Sequence, residues 1–172
     1  MRTELPEFKY HADPMKTGVI IKQEAVCPVC KEGTSYIYIG PFFSVDEVED
    51  ICPWCICNGE AANKFSGSFQ DAASVDDGYT KEQLEELIYR TPGYFGWQQE
   101  YWLRHCNDFC SFVDYVGWNE IKDIIDELSD DIEQSGYTFD EVKTHLSKEG
   151  SLRGYLFKCR DCGRYRLYID CD

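Results

Sequence analysis

Ten cysteines occur in this chain of 172 residues. Six of them form three Cys-x-x-Cys pairs: Cys27-Pro28-Val29-Cys30, Cys52-Pro53-Trp54-Cys55 and Cys159-Arg160-Asp161-Cys162. A tight turn of that length presents two thiolates to one ion, and Zn2+ takes four such ligands in a tetrahedron. One pair carries little weight, but three together point to metal binding. The first two pairs are separated by 21 residues, close to zinc-ribbon spacing. Cys27, Cys30, Cys52 and Cys55 therefore form a first expected site. Cys106 and Cys110 lie four apart in a segment read as helical, hence on one face. With Cys159 and Cys162 they form a second expected site. The cofactor expectation is two structural Zn2+ ions in closed tetrathiolate sites.

Other memberships stay open. The knuckles at Cys27/Cys30 and Cys159/Cys162 could share an ion, leaving Cys52 and Cys55 to the helical pair. His105 could replace Cys106, although on an ideal helix it points about 100° away. Buried free thiols are the plainer alternative, and they weigh more for Cys106 and Cys110 than for the three pairs. A thioredoxin-like redox role would need a lone Cys-x-x-Cys opening a helix in a βαβ setting. Cys57 and Cys171 lack partners and read as ordinary small residues.

A catalytic zinc keeps one position open, and four thiolates leave none. The sequence has no His-Glu-x-x-His, no deaminase signature, no P-loop, no Gly-x-Ser-x-Gly and no dinucleotide fingerprint. The expectation therefore leans away from an enzyme. The enzymatic alternative is a pocket built from His11, Asp13, Gln70, Asp71 and Trp97.

Lys and Arg total 17 against 32 Asp and Glu, a formal net charge of −15. Such a surface repels phosphate backbones and attracts basic proteins. Direct nucleic-acid binding is thus disfavoured, and the expected partner is a basic protein. The densest acidic face lies on a helix at 119–134, where Glu120, Asp123, Asp126, Glu127, Asp130, Asp131 and Glu133 oppose an apolar stripe. It reads either as a solvated face or as a docking surface. The aromatic run from Tyr94 to Trp102 reads as core. The first residues show no apolar signal segment, and no stretch approaches the ~20 apolar residues of a membrane span. A cytoplasmic protein is expected, where ten cysteines do not read as disulfides. The oligomeric state is not set by these features.

These residues need elements to position them. A strand is expected at 35–39 and a short helix at 45–51, with Ser44 and Glu47 as its capping box. Helices are expected at 81–90 (Thr80 and Gln83 as capping box), 96–111, 119–134 and 139–148 (Thr138 and Glu141). Strands 155–158 and 165–169 flank the last knuckle. Asp76-Asp77-Gly78 reads as a mobile loop. The fold class is α+β: zinc-ribbon-like strand and knuckle elements packed with a block of about four helices. One domain over 1–172 is expected, with a knuckle-rich part (1–79), a helical part (80–149) and a C-terminal zinc-ribbon hairpin (150–172).

The motifs together carry a resemblance. Phe8-Lys9-Tyr10-His11-x-Asp13-Pro14-x-Lys16-Thr17-Gly18 resembles the opening of the CbrC family, also called UPF0167. It continues through Cys27-x-x-Cys30, Tyr36-Ile37-Tyr38-x-Gly40-Pro41-Phe42, Cys52-Pro53-Trp54-Cys55, Ala61-Ala62-x-Lys64-Phe65 and Ser68-Phe69-Gln70-Asp71. It resumes at Thr91-Pro92-Gly93-Tyr94, Trp97-Gln98, Trp102, His105-Cys106 and Cys110 and ends at the Cys159/Cys162 knuckle. The resemblance implies a role in tolerance to a DNase-type colicin, and so an immunity-type protein whose basic partner is a nuclease toxin. A regulatory zinc module in a stress response is a further alternative. The acidic helix at 119–134 has no counterpart in the family pattern.

Overall fold

A computed structural model describes residues 4–98 and 100–172. The chain divides into two compact units. The first runs to Ser74 and takes in Thr80–Phe95; the second is Val75–Tyr79 with Gly96–Asp172.

In the first unit, β1 (Ile20–Val26) and β2 (Gly33–Tyr38) pair antiparallel around the first knuckle. Helices α1 (Pro53–Cys57) and α2 (Glu60–Phe65) follow the second knuckle. Pro53 starts α1 because its fixed φ suits the first helical position and its missing N–H has no partner to lose there. Helix α3 (Lys81–Arg90) opens with the expected capping box: Gln83 N–H donates to Thr80 Oγ1 at 3.3 Å and Thr80 N–H to Gln83 Oε1 at 2.9 Å. It stops before Pro92, which forces Thr91 into extended backbone. Val19, Ile20, Tyr38, Ile51, Ile56, Ala61, Ala62 and Phe69 form the core, and Cys27, Cys52 and Cys55 are buried in it. Gly93 is needed here, since a Cβ would lie 2.4 Å from the Phe69 carbonyl oxygen.

The helix expected at 45–51 is absent. Ser44 Oγ donates to the Asp46 carbonyl instead of capping, and Asp50 is left-handed at φ 59°. Ile51 instead forms an antiparallel bridge with Tyr38, whose N–H donates to its carbonyl at 2.9 Å. A local capping pattern is a weak prior that such tertiary pairing overrides.

In the second unit, β3 (Arg104–His105) and β4 (Asp108–Phe109) form a small hairpin. Strand β5 (Ser111–Val116) leads to α4 (Trp118–Ile121), a 3-10 turn at Lys122–Ile124, α5 (Ile125–Ser135) and α6 (Phe139–His145). Strands β6 (Leu152–Lys158) and β7 (Tyr165–Cys171) complete an antiparallel sheet in the order β5-β6-β7. Leu128 and Ile132 of α5 and Val142 of α6 pack with Val116, Leu152, Leu156, Leu167 and Ile169. The helix expected at 119–134 is thus broken near its start, and Gly136 ends α5 in the left-handed conformation that favours glycine.

The helix expected at 96–111 is not formed. Aromatic residues favour strands when a pleated surface is available to pack on. Trp102 is fully buried, edge-on to Phe112 and Phe157, and its indole N–H donates to the Cys110 carbonyl at 2.9 Å. Backbone N–H groups of Trp97 and Gln98 are taken by Tyr155 Oη (3.1 Å) and Asp170 Oδ2 (2.8 Å). Asp76 and Asp77 are tied to Arg104: its N–H donates to Asp76 Oδ2 and its Nη1 to the Asp77 carbonyl, both at 2.7 Å.

Candidate metal centres

The first group is Cys27, Cys30, Cys52 and Cys55, whose sulfurs all lie within 4.8 Å of one another. The β1–β2 turn supplies the first pair. Cys27 N–H donates to the Glu32 carbonyl (3.0 Å) and Lys31 N–H to the Cys27 carbonyl (2.9 Å). Closing this turn puts Lys31 in the left-handed region at φ 65°. The second pair sits on the first turn of α1, where Cys55 N–H donates to the Cys52 carbonyl at 3.0 Å. The two pairs meet directly, as Cys52 N–H donates to Cys27 Sγ at 3.4 Å. Hydrogen bonds from Cys52 and from backbone N–H groups pull the Cys27 thiol well below its ordinary range. A separate bond, donated by the Cys52 thiol to Cys27, pushes Cys52 upward, and burial raises Cys55. One thiolate is thus already favoured before any ion neutralises the rest. Lys64 of α2 clamps the knuckle through the Pro28 and Val29 carbonyls at 2.8 and 2.9 Å.

The second group is His105, Cys106, Cys159 and Cys162, again within 4.8 Å of one another. The knuckle between β6 and β7 repeats the first. Cys159 N–H donates to the Arg164 carbonyl (2.8 Å) and Gly163 N–H to the Cys159 carbonyl (3.1 Å), with Gly163 left-handed at φ 77°. The other two members come from the β3–β4 hairpin. Cys106 is the first of two loop residues and has φ 54°, a loop position that usually takes glycine. His105 Nδ1 lies 3.3 Å from both Cys106 Sγ and Cys162 Sγ. Cys159 Sγ faces the His105 carbonyl at 3.7 Å.

Both donor sets fit a tetrahedral ion. Zn–S bonds of about 2.3 Å place sulfurs roughly 3.8 Å apart, and a Zn–N bond of about 2.0 Å places nitrogen roughly 3.5 Å from sulfur. The donor atoms of each group lie within 4.8 Å of one another, and the 3.3 Å from His105 Nδ1 to two sulfurs is near the nitrogen–sulfur value. One group is four cysteines, the other a histidine with three cysteines, and each could hold a metal ion.

Cys110 is not in the second group. It is fully buried beyond β4, where its N–H donates to the Leu103 carbonyl at 2.9 Å, and burial pushes its thiol up to about 12. The i,i+4 spacing joins Cys106 to Cys110 only on a helix. A hairpin turning at Cys106 brings His105 in instead. The adjacent His105-Cys106 pair was the available signal, hidden by the helical reading. Cys57 and Cys171 are half-buried and lie outside both groups.

His11 is buried, with Nδ1 2.9 Å from the Pro92 carbonyl and Nε2 2.7 Å from Thr17 Oγ1. A carbonyl only accepts, so Nδ1 carries the proton and Nε2 accepts from Thr17. Burial lowers the His11 pKa to about 4. His11 and Asp13 line a cavity of about 320 Å³ with Phe8 and Ile20. Asp13 Oδ1 accepts from Lys16 N–H and Asp71 Oδ1 from Ala73 N–H, each at 2.9 Å. Gln70 Nε2 donates to the Ser74 carbonyl at 3.2 Å. Asp71 and Gln70 are not among that cavity's lining residues. Trp97 belongs to the second unit, with the Arg153 guanidinium 4.6 Å above its ring.

The acidic helical segment is divided in its use. Glu120 Oε2 caps α4 through Gly117 N–H at 2.8 Å. Asp131 is buried, accepts from Arg166 Nε at 2.8 and 3.0 Å and from Leu167 N–H at 2.8 Å. Glu127 Oε2 accepts from Tyr165 N–H at 3.0 Å, and Asp130 pairs with Arg164 at 3.6 Å. Asp123, Asp126 and Glu133 remain exposed.

A sequence profile described as an uncharacterised protein family, UPF0167, matches residues 5–171. UPF0167 proteins of Mycobacterium bovis and Mycobacterium tuberculosis are each 38% identical, over 97% of this chain and 94% of theirs. One from Pseudomonas aeruginosa is 32% identical, over 99% of both chains. No solved structure matches the chain.

Proposed function

The chain belongs to the UPF0167 family, and from that premise we propose a zinc-stabilised, non-enzymatic interaction protein that binds a basic protein partner. The observation that carries the reading is closure: each group offers four donor atoms within 4.8 Å, and a four-coordinate zinc with four protein ligands has no position left for water or substrate. The ions are then parts of the scaffold. Zn2+ is favoured over harder cations because sulfur and imidazole donors suit it. A reducing cytoplasm suits ligands that must remain thiolates.

Function then falls to the surface. Seven thiolates add seven negative charges and two Zn2+ ions add four positive ones, taking the formal −15 to about −18. The favoured partner class is a nuclease toxin of the colicin kind, basic because it binds nucleic acid. An acidic inhibitor presents such a toxin with a substitute polyanion. Catalysis near His11 draws less support, because both ring nitrogens are already engaged within the fold.

Pull-down and calorimetry against basic nuclease toxins encoded beside its gene test the reading. Binding that weakens steeply with added salt is expected. Absence of binding to every such toxin at low salt would sink it.

A further inference from the structure

The two groups differ in how they meet solvent. In the first, Cys27, Cys52 and Cys55 are buried and Cys30 is half-buried. In the second, Cys106 and Cys162 are both exposed, while Cys159 is buried and His105 half-buried. Oxidants reach exposed thiolates first. Those two sulfurs flank one atom, each 3.3 Å from His105 Nδ1, and lie within 4.8 Å of each other. A disulfide needs them at about 2.05 Å, so they must approach by less than the width of one atom.

The backbone around Cys106 is suited to that approach. A non-glycine residue in the left-handed region is strained, and such strain persists where the surroundings hold it in place. Cys106 sits at φ 54° on the tip of a hairpin with only two paired positions. The partner sulfur sits at the end of the β6–β7 knuckle, next to left-handed Gly163. The first group has no exposed thiol, Cys30 being only half-buried.

Resting on the metal reading above, we propose that Cys106 and Cys162 are a thiol modification site, where a hydroperoxide forms a disulfide and releases the second group's ion. One thiolate attacks the peroxide, breaks the O–O bond and becomes a sulfenic acid. The other attacks that sulfur and expels hydroxide. Two thiolates lose two electrons in all, and hydrogen peroxide with two protons becomes two waters. The ion loses two of its four ligands, and His105 with Cys159 cannot hold it in a tetrahedral site. The first group keeps its ion, so the chain passes from two bound ions to one.

The test treats purified full-length protein with hydrogen peroxide. A chromogenic chelator follows zinc release, and peptide mapping under non-reducing conditions locates the linkage. The Cys57→Ser/Cys171→Ser variant serves as well, because neither residue lies in a metal group. The expected result is one equivalent of zinc released, a Cys106–Cys162 disulfide, and recovery of metal binding after a dithiol reductant. A Cys159–Cys162 linkage, release from the first group first, or thiols that stay reduced while surface methionine oxidises would each overturn the proposal. Protein purified without zinc would defeat the metal reading alone, and mapping would still decide the disulfide.

Discussion

Lys31 and Gly163 occupy equivalent places in the two knuckles. Each closes its turn with an N–H donated to the first cysteine's carbonyl, and each has positive φ, 65° and 77°. Only glycine adopts that region without penalty. Lys31→Gly is therefore expected to stabilise the protein by about 0.5–1 kcal/mol, less than the full left-handed cost because glycine also loosens the unfolded chain. Thermal denaturation should show an increase of roughly 2–4 °C for each kcal/mol at this size. Gly163→Lys should shift it the other way. His11 offers a second prediction. Its folded pKa is about 4 against an ordinary 6.5, so the unfolded chain binds the extra proton first. Its stabilising contribution is complete above pH ~6.5 and is lost as pH falls toward 4. The loss reaches about 3 kcal/mol. A proton NMR titration should find one imidazole titrating near pH 4; a His11 midpoint above 6 would contradict this.

The legible elements were those whose signals are local. The capping boxes at Thr80 and Thr138 opened helices where expected, and the terminal strand–knuckle–strand unit formed as β6 and β7. The first four-cysteine group was also legible, because two knuckles at ribbon spacing need no knowledge of intervening contacts. The segment 96–111 was not. Its apolar and cysteine spacing fits a helix, but its aromatics gain more from packing against the β5–β6–β7 sheet, and that surface exists only once the chain has folded. The same limit applies to α5. Asp131 sits on a helix rich in carboxylates, yet it is buried and bound to Arg166 and the Leu167 N–H. Removing one side of such a pair leaves an uncompensated buried charge. Asp131→Asn should cost about 3 kcal/mol in urea denaturation. Asp126→Asn, on an exposed residue of the same helix, should change stability by less than about 0.5 kcal/mol. Equal effects of the two would contradict the structural role given to Asp131.

At the scale of the molecule, each of the two compact units holds one of the two candidate metal groups. Among the described residues no helix is long and apolar enough to cross a membrane. Three of the first group's cysteines lie inside the core of their unit and Cys30 packs against it, so metal removal should unfold that unit as well as empty the site. Structural zinc contributes folding free energy directly. A strong chelator should therefore lower the melting temperature, and added zinc should restore it. X-ray absorption at the zinc edge should average about seven sulfurs to one nitrogen over two ions, which distinguishes His105 from Cys110 as the eighth ligand. The most direct test is metal content by plasma mass spectrometry on protein purified without chelators or added metal. With two groups that could each hold an ion, the proposed function predicts about two zinc ions per chain; fewer than one would contradict the two-centre account.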